Sequence, residues 1–245
     1  MNRNVYLEKK ISSVTIEKRI NDEWRKISRN YNFRPHVIKS FISTNTVLPS
    51  FYNLIKTHKN GDSLKIRPIV SSIDGPAYRI CHLINNNLKP AFRHIPAHLE
   101  NSQTLINCLK SLNNQEIQKL KYPFSLDVCS LYTSIPINDA IDAVRNFLQS
   151  LAHAEQTLSV NDICFLIKVV FNNSFFVFSI SAIIAIIFMN KIEHRALNIF
   201  HNWRIFRRYI DDIFFLTTDK TNANTLFNNI SNIHHSKSFE TQHPK

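Results

Sequence analysis

The feature that most constrains this chain is a pair of adjacent carboxylates set between two apolar runs, IFRRYIDDIFFLT at residues 205–217. Runs this rich in Ile and Phe read as strands, and the polar break between them reads as a tight hairpin turn at Asp211-Asp212. Two neighbouring carboxylates at such a tip cannot both be buried without a counter-charge. Side by side they repel, and each makes the other harder to ionise. A divalent cation relieves that repulsion and takes oxygen ligands. An Asp-Asp pair alone is an ordinary polar turn, but a third acid changes the reading. In PFSLDV (123–128), Phe124, Leu126 and Val128 alternate with Ser125 and Asp127. That is the pattern of a half-buried strand with an acid on its polar face. If the two strands are neighbours, Asp127, Asp211 and Asp212 converge at one edge of a sheet. Such a cluster suits two Mg²⁺ ions, one activating a 3′-hydroxyl and both stabilising charge on a transferring phosphoryl group.

The charge is lopsided. Residues 1–122 carry 20 basic and 8 acidic side chains, and residues 123–245 carry 10 of each, so the whole formal excess of +12 lies in the front half. A one-sided excess of this kind points to a polyanion such as nucleic acid, the alternative being an inert basic surface. Hydrophobic residues make up 44% of the 245, enough to bury a core. The four cysteines, Cys81, Cys108, Cys129 and Cys164, lie far apart with no metal-ligand spacing. They fit a reduced, intracellular protein, nuclear or cytoplasmic. MNRNVYLEKK has no apolar core, so no secretory signal is expected. The apolar stretch Val177 to Met189 is too short to span a bilayer and reads as a buried helix, so no membrane partner is expected.

Along the chain, Ile20, Trp24, Ile27 and Tyr31 fall at helical spacing within a charged lead, residues 1–46. A break follows at Leu48-Pro49. Phe51 to Lys56 and Lys65 to Val70 read as strands around the turn Asn60-Gly61-Asp62, and Ile73-Asp74-Gly75-Pro76 as a second turn. Ala77 to Phe92 is helical in pattern. After the PFSLDV strand, Asn138 is placed to cap a helix whose stripe is Ala140, Ile141, Val144, Phe147 and Leu148. Strand, helix, helix and hairpin in that order suit an α+β fold, with helices packed on one face of an antiparallel sheet.

At these residues the chain resembles the reverse transcriptases, and more narrowly those of Penelope-like retroelements. The resemblance runs through LPSFYNLIKTHK (48–59), IRPIVSSIDGPAY (66–78), FSLDVCSLYTSIP (124–136), IFMNKIE (187–193) and RRYIDDIFFL (207–216). It implies polymerase fingers and palm: a helical lead at 1–46, a basic fingers-like region at 47–122 and a palm-like region at 123–245. It implies that Asp127, Asp211 and Asp212 ligate two Mg²⁺, with Mn²⁺ an alternative. Tyr132, five residues after Asp127, would be an aromatic gate against a ribose 2′-hydroxyl; from chemistry alone it reads as a core aromatic. Arg67, in KIRPIV, would reach the incoming triphosphate through bidentate contacts, supported by Lys65. Lys56 and Lys59 would grip template phosphates, each alone reading as a solvated surface charge. The implied partners are an RNA or DNA template–primer and deoxynucleoside triphosphates; the sequence points to no protein partner.

The sequence also departs from that family. A Gly-rich segment of the form QxxGxxMGSPxSP is expected between the two Asp motifs. Here the chain reads FNNSFFVFSISAIIAIIFMNKIE, without Gly, Gln or Pro, and only Gly61 and Gly75 occur in all 245 residues. Phe171 to Phe178 is expected to be the strand before that loop and Ser179 to Glu193 the helix after it, which implies an internal deletion. No thumb sequence follows HHSKSFETQHPK. The expectation is a polymerase domain impaired in catalysis, the alternative a non-catalytic nucleic-acid-binding remnant or a decayed retroelement fragment.

Overall fold

The structure is a computed structural model, and it describes residues 12–55, 66–120, 122–128, 131–151, 156–173, 180–199, 203–233 and 239–242. In chain order its elements are α1 (Ser13–Ser28), α2 (Pro35–Ser40), β1 (Ser50–Ile55), β2 (Ile66–Ser71), α3 (Tyr78–Leu88), a 3-10 turn (Lys89–His94), α4 (Ser102–Lys110), α5 (Asn114–Lys119), β3 (Tyr122–Val128), α6 (Leu131–Ser134), α7 (Ile137–Ser150), α8 (Val160–Asn172), α9 (Ser181–Ile199), β4 (Trp203–Tyr209), β5 (Asp212–Thr217), α10 (Lys220–Ile233) and β6 (Phe239–Gln242). They group into two compact units. One holds residues 1–87 and 161–180, the other residues 88–160 and 181–245.

In the first unit the helical spacing of the lead becomes α1. Ser12 caps it by accepting a hydrogen bond from the Thr15 amide at 3.2 Å, and Ile16, Ile20, Trp24 and Ile27 are buried along one stripe. Trp24 satisfies its indole N–H on the Ile38 carbonyl at 3.0 Å and meets the Phe41 ring edge-on at 5.8 Å. Asn21 ties down the following chain, donating to the Ser43 carbonyl and accepting from the Ser43 amide. β1 and β2 pair antiparallel from Ser50↔Ser71 to Ile55↔Ile66, and Arg67 sits on β2 opposite Leu54. The turn expected at Asn60-Gly61-Asp62 lies outside the described residues, as do Lys56, Lys59 and Lys65. In the second turn it is Asp74, at φ 55°, that takes the left-handed backbone, and the Gly75 amide donates to the Ser72 carbonyl at 3.0 Å. A Cβ on Gly75 would meet that same carbonyl oxygen at 3.0 Å, so a side chain there would crowd the turn, while the backbone dihedral does not call for glycine.

The second unit is built on a four-stranded sheet, order β4-β5-β3-β6, antiparallel throughout. The alternation read from PFSLDV sets its faces. Phe124, Leu126 and Val128 are buried on one face with Ile213, Phe215 and Phe206 from the neighbouring strands. Against this face pack Ala185, Phe188, Met189, Ile192 and Ala196 of α9, Ala143 of α7, Leu131 of α6, and Leu226 and Ile230 of α10. The Phe215 ring stacks between Phe124 at 5.4 Å and Phe206 at 6.4 Å. On the opposite face Leu216 and Ile205 are buried with Leu120, flanked by Leu109 and Leu112. The apolar stretch ending at Met189 is accordingly core: the α9 residues Ile184 to Met189 are all buried, and among the described residues no helix is long and apolar enough to cross a membrane.

Three local expectations are corrected. Asn138 does not cap α7, because Pro136, at φ −62° and ψ 138°, occupies the N-cap and leaves Asn138 in the first turn. Phe171 and Asn172 are not strand but the last residues of α8, whose apolar spacing buries Ile163, Leu166, Ile167 and Val170; residues 174–179 lie outside the described set. The turn of the acidic hairpin is Ile210-Asp211, and Asp212 is already the first residue of β5, paired with Tyr209.

Candidate metal and nucleotide site

Strand register places the acids. In the β3–β5 ladder Asp127 is the partner of Asp212, and Asp211 is the preceding turn residue, so all three lie at the same end of the sheet. The Val128 amide donates to the Asp211 carbonyl at 3.1 Å, closing the end of β3 onto the turn. Directly opposite neighbours in an antiparallel pair have Cβ atoms about 5 Å apart, so Asp127 and Asp212 face each other as like charges. Partial burial first, then the charges of Asp211 and Asp127, push the Asp212 carboxyl above its ordinary value. On the other side of β3, Asp127 is in register with Glu240 of β6, a neighbour the strand patterns did not reveal.

Chemically this is a row of hard oxygen donors, and it fits Mg²⁺ or Mn²⁺ by donor type. Among the described residues no three His, Cys, Asp or Glu side chains stand close enough together to hold one ion as placed. The burial of Asp212, together with the charges beside it, gives an expected result. Asp212 binds its proton more tightly in the folded chain than in the unfolded one, so stability falls as the pH rises through the carboxylate range. With divalent cations chelated, Asp212→Asn should therefore melt at a higher temperature than the parent at pH 7. The difference should shrink as the pH falls toward about 4, the unfolded-state value. Equal melting temperatures at both pH values would show that neither the burial of Asp212 nor the neighbouring charges cost the fold anything.

The turn that carries Asp211 is itself strained. Ile210 sits at φ 57°, a left-handed conformation that a β-branched residue adopts only when its surroundings impose it, at about 1–3 kcal/mol. Two residues earlier, Arg208 is fully buried. It lies in phase with Phe206, on the helix-packed face of β4, and its guanidinium bridges three groups. It pairs with buried Glu193 of α9, donates to the Ile210 carbonyl at 3.1 Å, and donates to the Ile186 carbonyl at 3.0 Å. Its backbone is clamped as well. The Arg208 amide donates to the Ala97 carbonyl at 2.6 Å, and the Leu99 amide donates to the Arg208 carbonyl at 2.8 Å. Sequence reasoning missed this pair. The signals that could have found it are an arginine in the inward phase of an apolar strand and a glutamate following an apolar helical run.

Tyr132 stands in α6, part-exposed at 38%. Burial, and secondarily the Asp211 charge, raise its phenol above the ordinary value, so the structure brings Tyr132 within electrostatic reach of Asp211. Arg67 belongs to the other compact unit.

No protein-family model matches the chain, and no curated protein sequence matches it. Solved structures do. Apo telomerase from Candida tropicalis matches at TM-score 0.53 and 10% identity, over 94% of this chain and 50% of that one. The same enzyme truncated from its C-terminal domain matches at TM-score 0.50 and 11% identity, over 91% of this chain and 56% of that one. The RNA-dependent RNA polymerase of BmCPV in its quiescent state matches at TM-score 0.52 and 9% identity, over 94% of this chain and 24% of that one.

The fold is polymerase-like. The α+β architecture expected from the strand and helix patterns is present, at sequence identities too low for any comparison but one of structure. The chain spans about half the length of the telomerase chains it matches.

Proposed function

We propose that this chain is a reverse transcriptase domain of the Penelope-like kind, its palm built for nucleotidyl transfer with two divalent cations. The observation that carries the reading is the register pairing Asp127 with Asp212 beside the Asp211 turn, on a polymerase-like fold. In this reading Asp127, Asp211 and Asp212 hold Mg²⁺. The bound ions supply Lewis-acid stabilisation of a primer 3′-oxygen and a transferring phosphate. The protein's own part is positioning and electrostatics. The three carboxylates fix the charge at the sheet end, and Arg208 and Glu193 brace the turn. The Tyr132 ring closes the floor beneath the sugar, where it would exclude a 2′-hydroxyl. Arg67, with Lys65, would contact the triphosphate, and Lys56 and Lys59 the template phosphates. The exposed basic side chains of the front half, Lys18, Arg19, Arg29, Arg34 and Lys39 among them, supply sequence-independent attraction to the nucleic-acid backbone.

Two assays side by side test this. Template–primer binding should weaken steeply with salt. Neutralising Lys18, Arg19 and Arg29 should flatten the logarithmic salt slope by about 0.7–0.9 for each phosphate that the protein no longer neutralises. A slope unmoved by those changes would place binding elsewhere. Primer extension with Mg²⁺ and deoxynucleotides should be detectable but slow. The segment between α8 and α9 offers no glycine where the family's loop brings backbone close to the base pair. Grafting a QxxGxxMGSP loop between Phe178 and Ser179 should raise the rate roughly 100-fold, the cost of misplacing reactants by about 1 Å. Salt-dependent binding with no extension in either form would favour the second reading, a nucleic-acid-binding remnant, which the one-sided charge also supports.

A further inference from the structure

Arg208 is an expensive residue to bury, and nothing about the sheet requires it. A charged side chain at that position in the phase of Phe206 and Phe215 must be paired and hydrogen-bonded to be tolerated at all, and apolar residues of similar size would fill the space as well. Glu193 supplies the pairing. What a Glu193–Arg208 pair accomplishes that a Leu–Met pair would not is seen at the third partner, the carbonyl of Ile210. That carbonyl belongs to the residue whose φ of 57° sets the direction in which Asp211 and Asp212 leave the turn. The remaining donor, on the Ile186 carbonyl of α9, keeps the guanidinium plane in place, and the Ala97 and Leu99 backbone bonds fix the strand from its outer side. The helix and the strand edge around the hairpin thus converge on a residue whose side chain reaches the strained turn at the Ile210 carbonyl. Arg is suited to this because its planar fork holds several acceptors at once, which an ammonium cannot reproduce in the same geometry.

We propose that Arg208, held in place by Glu193, is a positioning residue: it locks Ile210 in the left-handed conformation and so aims Asp211 and Asp212 beside Asp127. The proposal rests on the reading of those three carboxylates as a divalent-cation site. It assigns to Arg208 and Glu193 the role that outer partners play around metal ligands, where their loss lowers affinity by about 10- to 100-fold.

The test uses the full chain and Mn²⁺ as the probe. Affinity is measured by titration followed by electron paramagnetic resonance, alongside the melting temperature and hydrogen exchange of the Val128 amide, which donates to the Asp211 carbonyl. The double variant Arg208→Met/Glu193→Leu removes both charges together and keeps the volume. It should stay folded, bind Mn²⁺ about 10- to 100-fold more weakly, and exchange the Val128 amide at least about tenfold faster. Adding Ile210→Asn, a residue that tolerates left-handed backbone, should recover most of the affinity, because the turn then needs less holding. Arg208→Lys, which leaves a cation beside Glu193, should behave like the double variant; if the double variant unfolds, this single change carries the comparison. A folded variant with parental Mn²⁺ affinity and parental Val128 exchange would overturn the proposal. So would a loss of affinity that Ile210→Asn does not relieve, since that would mark a general weakening of the fold. If the parent chain binds no Mn²⁺, the metal-site reading fails, and Val128 exchange alone then decides whether Arg208 fixes the turn.

Discussion

Asp127→Ala should reduce primer extension by on the order of 1,000-fold while changing template–primer affinity less than about twofold. The size follows from what the site must supply. A metal clamp on a transferring phosphoryl group contributes several kcal/mol of transition-state stabilisation, and each 1.36 kcal/mol is about tenfold in rate. Asp127 is the acid that β3 brings from a distant part of the chain to face Asp212, so its removal leaves the hairpin pair intact and still breaks the constellation. Asp211→Ala should give a loss of the same order, and the double variant little more than either alone, because residues that act as a unit are not additive. Nucleic-acid affinity should survive because the formal charge excess lies entirely in residues 1–122. Measured rate and affinity together decide the matter. An Asp127→Ala variant that loses both in proportion would indicate damage to the fold and not to a reaction centre.

Phe215→Ala should destabilise the sheet-bearing unit by about 3–5 kcal/mol, enough to unfold a domain of ordinary stability under mild denaturant. Phe215 is fully buried at the centre of β5 and stacks on Phe124 and Phe206 from the two adjacent strands. Its ring therefore joins β3, β4 and β5 as well as the helices beneath. Urea titration followed by far-ultraviolet circular dichroism measures the effect. A loss below about 1 kcal/mol would mean that the core repacks around the deletion, contrary to the close stacking described. Tyr209, 49% exposed on the same hairpin, is the internal control and should tolerate Tyr→Ala with little change in stability.

The sequence discloses most of what depends on local periodicity. Phe124, Leu126 and Val128 alternate because the strand is half-buried, and Ile16, Ile20, Trp24 and Ile27 recur because one face of a helix is. The hairpin is legible for the same reason. Its turn is displaced by one residue because nothing local predicts an isoleucine at φ 57°; that conformation is imposed from outside, by groups such as Arg208. Asn138 looks like a cap by residue type, but the proline before it sets the helix start. Phe171 reads as strand because an apolar run of β-branched and aromatic residues is ambiguous between strand and buried helix, and only the packing of α8 resolves it. Most long-range facts are closed to local periodicity. That α8 groups with the N-terminal unit, that β6 inserts beside β3 so that Glu240 meets Asp127 in register, and that Glu193 finds Arg208 all depend on tertiary pairing. The three acids stand out because chemistry restricts what adjacent carboxylates can do. The brace beneath them is only half visible: Arg208 falls in the inward phase of an apolar strand, but nothing local says that Glu193 is its partner.

The central claim, that Asp127, Asp211 and Asp212 together hold catalytic divalent cations, is most directly tested by counting Mn²⁺ bound to the purified chain in the presence of template–primer and a non-hydrolysable deoxynucleoside triphosphate. Parent chain and the Asp127→Asn/Asp211→Asn/Asp212→Asn variant are compared, each first shown to be folded. The account predicts two Mn²⁺ per parent chain above the number that the nucleotide and nucleic acid bind alone, and none above that number for the variant. Equal Mn²⁺ binding by the two proteins would contradict it, and the row of carboxylates would then be an acidic sheet end without a catalytic role.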